Sequence, residues 1–267
     1  MSERLPALLA TLHDPQGRMH PALEGRGAAL APAGGRYAAV YVTVTDATHP
    51  AVRAGLAARG VEVIGGKNDR VGAARRLALR TAYEAGHGAF FYCDLDRWLH
   101  WEGRFPEELA SLPGRLTARR PQPWYVCLGR TRRAFATHPA VQRVAEGATN
   151  RAASLALGRR LDAVAGACWL TRDGAAAVLP HSVEETNATD LEWPALVYRA
   201  DRRRVAYVAT EGLEFETAEF YAPEIGALGG RAAWERAQYE RPEVWRTRLR
   251  LAADSADALC RVLGQKK

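Results

Sequence analysis

The chain has 267 residues, with 37 basic and 30 acidic side chains, a net charge of +7 and four cysteines. That length admits one large α/β domain or two small ones with a substantial core. No apolar run reaches the length of a membrane span.

Cys93, Cys127, Cys168 and Cys260 show no Cys-x-x-Cys spacing, and three of them sit in apolar runs, which argues against a disulfide framework or a zinc site. The first residues lack the order of a signal peptide. Both features predict a soluble, cytoplasmic protein with reduced thiols. Apart from Lys67, Lys266 and Lys267 the basic residues are arginines. Arginine suits phosphate, so the charge permits nucleotides, nucleic acid or an anionic membrane surface without choosing among them.

In chain order, residues 1–36 read as a lead-in. It holds a short apolar helix around Leu5 to Leu12 and then a Pro/Gly/Ala-rich passage ending at Gly34-Gly35. Those glycines precede the first strand, whereas a phosphate loop follows one, so they are not taken as a phosphate loop. Tyr37 to Thr45, YAAVYVTVT, predicts a strand. A helix from Pro50 to about Arg59 and a short strand at Val61 to Ile64 complete a βαβ unit, which implies a parallel sheet. The next helix runs from about Asp69 to Ala85 with Asn68 or Asp69 as cap. Val71, Ala74, Ala78, Ala82 and Ala85 fall within one arc of it, Arg76 and Arg80 face away, and Arg75 lies beside the arc near the helix start, placed to meet phosphate.

Ala89 to Trp98, AFFYCDLDRW, organises the rest. Five small or apolar residues predict a strand buried on both faces, and it ends abruptly in Asp94 and Asp96. Two like charges so close are met most simply by a divalent cation, and oxygen ligands suit Mg²⁺ or Mn²⁺. An isolated Asp-x-Asp is otherwise a loop with two solvated aspartates.

The run GGKNDRVGAARRLALRTAYEAGHGAFFYCDLDR resembles the donor-binding half of nucleotide-sugar glycosyltransferases with the GT-A fold, above all the large inverting family with an Asp-x-Asp motif. Gly72, Ala74, Arg75, Ala82, Gly86, Asp94 and Asp96 are the matching positions. Arg76 stands where asparagine is usual, and the stretch between helix and strand is longer. The resemblance implies a GT-A-like, mostly parallel α/β sheet flanked by helices. It also implies that the first strand end (Thr45, Asp46), the helix start (Asn68, Gly72, Arg75) and Asp94 hold the donor, with Asp94 and Asp96 on the metal.

Beyond the motif, Trp98 and Trp101 suit either the core or stacking on a sugar. Trp124 to Gly129 predicts a strand, Arg130, Arg132 and Arg133 a solvated rim, and His138 to about Gly158 a helix. Val164 to Thr171 is a further strand, followed by a helix to Leu179. By the same resemblance the Gly-Ala strand lies under an acceptor site, with Asp190 as general base and Glu192 as the alternative. An acid at a helix N-terminus is also an ordinary cap. The run from Val205 to Tyr221 predicts one or two strands with Glu214 and Glu216 on one face, exposed at an edge or completing a metal or acceptor site. Residues 231–263 read as helices packed back on the domain, although their basic, aromatic character admits peripheral membrane contact.

The expected organisation is therefore a lead-in (1–36), a GT-A-like domain (37–225) and a C-terminal helical extension (226–267). The expected function is a metal-dependent hexosyl-type transfer, with inversion, from a nucleotide-diphospho-sugar to an unspecified acceptor hydroxyl. The competing expectation is a non-catalytic nucleotide- or nucleic-acid-binding protein on the same fold. Nucleic acid is not the expected partner, because no RNA-binding or helix-turn-helix signature accompanies the charge.

Overall fold

The computed structural model describes residues 5–66 and 70–264. Its first half runs β1 (Ala7–Leu12), α1 (His20–Arg26), β2 (Ala39–Thr45), α2 (Pro50–Ala57), β3 (Glu62–Gly66), α3 (Val71–Glu84), β4 (Ala89–Cys93), α4 (Leu95–Arg104) and α5 (Pro106–Thr117). The second half continues with β5 (Tyr125–Arg130), α6 (Arg132–Ala136), α7 (Ala140–Ala156), β6 (Ala167–Thr171), α8 (Arg172–Val178), α9 (Thr189–Ala200) and β7 (Val205–Thr210). It closes with α10 (Ala222–Ala227), α11 (Arg231–Tyr239) and α12 (Pro242–Gly264).

The strands form one seven-stranded sheet in the order β3-β2-β1-β4-β6-β5-β7. β1 to β4 are mutually parallel, β5 and β7 are parallel to each other, and β6 runs antiparallel to both β4 and β5. Alternation along the strands sends side chains to two cores. Leu8, Val42, Phe91 and Trp169 pack on one face with Trp98 and Trp101 of α4, while Leu9, Tyr41, Phe90 and Leu170 pack on the other with residues of α3, α9 and α12.

β1 corrects the sequence reading. Ala-Leu-Leu-Ala-Thr-Leu has high helix propensity, and the sequence predicts a helix there. Yet all but one of its six residues are buried, and it pairs in parallel with both β2 and β4. A short continuous apolar run is also what a strand covered on both faces requires, and periodicity cannot separate the two. The lead-in thus contributes a central strand, and a boundary at residue 36 would cut the sheet.

Trp98 and Trp101 are core residues. Trp98 donates its indole N–H to Tyr37 Oη at 2.9 Å, and Trp101 donates to Glu108 Oε2 at 2.9 Å. Glu214 and Glu216 do not share a strand face and are not exposed at an edge, because β7 ends at Thr210 and both glutamates lie buried in the loop beyond it. Arg130 is likewise no solvated rim: it is 3 % exposed. Among the described residues no helix is long and apolar enough to cross a membrane.

Candidate active site

β1 is flanked by β2 on one side and by β4 on the other, so the strand order reverses between β1 and β4. Open α/β sheets bind ligands at such a reversal, beyond the carboxyl ends of the strands. Thr11 lies near the end of β1 there, His13 just past it, and Asp94 just past β4. Asp94 is the residue before α4, with Asp96 in the first helical turn, where a carboxylate is favoured by the helix dipole.

The two aspartates have different surroundings. Asp94 is drawn into the protein. Its Oδ1 accepts from the Tyr92 hydroxyl and lies 3.1 Å from Thr11 Oγ1, and both its oxygens meet Arg75 Nη2, at 3.4 and 3.3 Å. Asp96 accepts from the Arg97 backbone N–H at 2.8 Å and borders the crevice. Burial, reinforced by the charges of Glu216 and Asp94, pushes its carboxyl up to about 7. Among the described residues Glu216 Oε2 is buried without a hydrogen-bond partner. The carboxylates therefore repel one another in a place short of positive charge. Arg97 meets only part of that demand, with Nε 3.7 Å from Asp94 Oδ2 and Nη2 3.9 Å from Glu216 Oε1. Gly166, at φ +68°, lets this cluster close: an added Cβ would stand 2.5 Å from Asp94 Oδ2 and 2.9 Å from Arg97 Nε.

Arg75 lies behind Asp94. Its side chain is 2 % exposed, and its Nη1 also reaches Asp190 Oδ1 at 2.5 Å. Asp190, in the first turn of α9, is pushed up to about 6 by burial, with Arg75 opposing the shift.

Two cavities meet at this point. One of about 200 Å³ opens over the ends of β1, β2 and β3 and is bordered by His13, Thr45, Gly66 and Asp96. The other, about 60 Å³, lies between α7 and α12 and is bordered by Glu146, Asp190, Arg97 and Arg248. Arg75, Asp94 and Asn187 border both.

The predicted site residues divide accordingly. Thr45, Arg75, Asp94, Asp96 and Asp190 come together, with Thr45 Oγ1 2.8 Å from His13 Nδ1. Asp46 does not join them; its side chain is 84 % exposed and borders a neighbouring hollow with Gly65 and Arg70. Gly72 is a packing point. Its N–H donates to Glu185 O at 2.9 Å, and a Cβ there would collide with the carbonyls of Glu184 and Thr186. Glu192 is fully buried away from both cavities, accepting from the Ser182 hydroxyl, the Val183 and Glu184 N–H groups and Arg261. Asn68 lies outside the described residues.

Sequence reasoning misses Thr11, His13, Tyr92, Arg97, Asn187 and Arg248. Reading β1 as a strand would have exposed the first two, since residues at and just past the carboxyl end of a buried parallel strand stand at the ligand-binding edge.

Among the described residues no group of three or more His, Cys, Asp or Glu side chains is arranged to hold a metal ion by itself. Mg²⁺-type sites commonly use one or two carboxylates and complete their shell with water and substrate phosphate. Asp96 beside Asp94, with a Glu216 oxygen that has no partner among the described residues, fits that pattern and no denser one.

A mostly parallel seven-stranded sheet with helices on both faces and its crevice at the order reversal defines a GT-A-like α/β fold. No protein-family model and no curated protein matches the chain. Solved structures do. A crystal structure of M. tuberculosis glucosyl-3-phosphoglycerate synthase is similar at a TM-score of 0.53 and 11% identity, over 100% of this chain and 83% of that one. Glucosyl-3-phosphoglycerate synthase from Mycobacterium tuberculosis in complex with Mn²⁺, uridine diphosphate and phosphoglyceric acid is similar at a TM-score of 0.56 and 10% identity, over 100% and 81% of the two chains.

Proposed function

We propose that this chain is a metal-dependent glycosyltransferase that moves a sugar from a nucleotide-diphospho-sugar to an acceptor hydroxyl, with inversion. The observation that carries this reading is the shared wall of Arg75, Asp94 and Asn187 between one cavity bordered by Asp96 and another bordered by Asp190. Donor and acceptor have separate compartments that touch at one place. The larger cavity, at the strand ends, suits the donor, with Thr45 and His13 on its wall and Asp96 facing its diphosphate. The smaller, beside Asp190, suits the acceptor.

Asp96 and Asp94 would hold a Mn²⁺ or Mg²⁺ ion together with the donor's phosphate oxygens. Bound there, the ion would supply charge neutralisation of the diphosphate leaving group. Asp190 takes the proton of the acceptor hydroxyl as that oxygen bonds to the anomeric carbon. The bond from that carbon to the diphosphate breaks, and its electron pair leaves with the nucleotide. A carboxyl raised to about 6 is ionised at neutral pH and is still a stronger base than an ordinary aspartate. Glu192 is committed to holding the 182–184 turn, which favours Asp190 for the role. Arg97 and Arg248 on the acceptor side suit a small acceptor carrying an anionic group.

The test is thermal stability with UDP, GDP and their sugar conjugates, each with Mn²⁺ and with EDTA. A ligand bound only by the folded state must raise stability. A larger shift with Mn²⁺ is expected; equal shifts remove the metal role, and no shift with any nucleotide overturns the reading.

A further inference from the structure

An arginine at the start of the helix after β3 is placed by sequence to bind phosphate, but its contacts point to another task. A guanidinium carries five N–H groups. Arg75 sets them on five contacts: Nε on Tyr92 Oη at 2.8 Å, Nη1 on Thr189 Oγ1 at 3.0 Å and Asp190 Oδ1 at 2.5 Å, and Nη2 on both oxygens of Asp94. A phosphate oxygen gains an Arg75 N–H only by taking it from buried Tyr92 or Thr189 or from the mostly buried carboxylates Asp190 and Asp94, and such groups are costly to leave unpaired.

We infer that Arg75 is a positioning residue that ties the donor-side carboxylate Asp94 to the base Asp190, rather than a ligand of the diphosphate. The inference rests on the transfer reaction proposed above. With Asp190 Oδ1 held by Nη1, Oδ2 is the oxygen presented to an acceptor hydroxyl. Tyr92 and Thr189 fix the plane of the guanidinium, so the orientation of the base is set from β4 and α9 together. Lysine retains the charge, but its single ammonium has three N–H groups and no fork, and it cannot hold two carboxylates and two hydroxyls at once.

The experiment compares full-length wild type with Arg75→Lys. It measures the affinity for UDP and for GDP with Mn²⁺ by calorimetry, and hydrolysis or transfer of the matching nucleotide sugar at saturation. Arg75→Lys is expected to bind nucleotide within about threefold of wild type with donor KM unchanged, while kcat falls by about a hundredfold. A loss of about tenfold or more in nucleotide affinity with kcat retained would make Arg75 a phosphate ligand and overturn the inference. Unchanged affinity and unchanged kcat would overturn it as well.

Wild type supplies a second readout if the variant does not fold. The Arg75 Nε–H resonance, protected by Tyr92, is expected to stay in place when nucleotide and Mg²⁺, a diamagnetic ion, saturate the site. A shift of the kind a new phosphate contact causes would count against the inference. Wild type that binds neither nucleotide removes the transfer reaction and Arg75's role in it, an outcome distinct from a defect confined to the variant.

Discussion

Arg75 and Arg130 are both buried arginines at the carboxyl-terminal side of the sheet, and both meet two acids, yet Asp190 beside the first and Asp162 beside the second end in opposite electrostatic states. Arg130 grips Asp162 with Nε and Nη2, each at 2.8 Å, and sends Nη1 to Glu146 at 2.6 Å. Asp162 also accepts from the Arg130 backbone N–H and from Asn150 Nδ2. Burial works against its charge, but the hydrogen bonds from Arg130 and Asn150 hold its carboxyl below the ordinary value. Asp190 receives one Nη1 contact from an arginine it shares with Asp94, and burial prevails, raising it to about 6. An arginine spent as a fork on one acid makes a fixed post. An arginine that gives an acid only one N–H leaves that acid able to change protonation near neutral pH, which is what proton transfer needs.

Breaking the fixed post should have the largest effect. Asp162→Ala leaves the Arg130 guanidinium, 0% exposed, without its bidentate partner, and removing one member of a buried pair costs about 3–5 kcal/mol. Urea denaturation measures the loss. In whatever fraction folds, nucleotide affinity should match wild type, because Asp162 borders neither cavity of the site.

Asp190→Asn should invert that pattern, with turnover down by about a hundredfold, equivalent to about 2.7 kcal/mol, and little change in nucleotide affinity. Wild-type turnover is expected to rise as pH increases through about 6, where Asp190 ionises, and the variant should lack that limb. Stability should carry the opposite sign. The Asp190 carboxyl lies above its ordinary 3.8, so the folded state binds its proton more tightly, and stability falls as pH climbs from 3.8 to about 6. Asp162, shifted down, contributes stability that is present above the ordinary carboxylate value and lost as pH falls below it. Denaturation of wild type and Asp190→Asn across that range separates the two.

Asp96→Asn comes next. Replacing a carboxylate by an amide weakens a hard-cation site. The nucleotide affinity measured with Mn²⁺ should fall by about tenfold, about 1.4 kcal/mol, while the affinity in EDTA stays as in wild type. Equal affinities with and without Mn²⁺ in both proteins would leave Asp96 no metal to hold.

What could be read from sequence follows the range over which each signal acts. β4 and its two aspartates are legible because an uninterrupted apolar run ending in acids is a local pattern, and the arc of α3 places Arg75 near the sheet edge. The partners of Arg75 are not legible: Thr189 and Asp190 lie 114 and 115 residues away, and Tyr92 sits inside a strand where an aromatic ring looks like core. Arg130 fails for the same reason. Its basic neighbours suggest solvent, and the acid that buries it is 32 residues on, past a whole helix. β1 fails differently, since Ala and Leu favour a helix locally while the sheet around them decides for a strand.

The smallest effect should come from Asp46, which extends the comparison to an exposed pair. Arg53 Nη2 stands 3.9 Å from Asp46 Oδ1, with the aspartate 84% and the arginine 31% exposed. Water screens such a pair, and its side chains lose entropy when held, so Asp46→Asn should change stability by no more than about 0.5 kcal/mol. Its effect on binding is the sharper measurement. Asp46 borders a hollow that shares Gly66 and Ala74 with the cavity over the ends of β1, β2 and β3 but excludes Asp94 and Asp96. If the nucleotide lies wholly within that cavity, its affinity for Asp46→Asn stays within about twofold of wild type, a change of about 0.4 kcal/mol. A loss of about tenfold would mean that the nucleoside reaches into the hollow and that an exposed carboxylate at the end of β2 reads it directly.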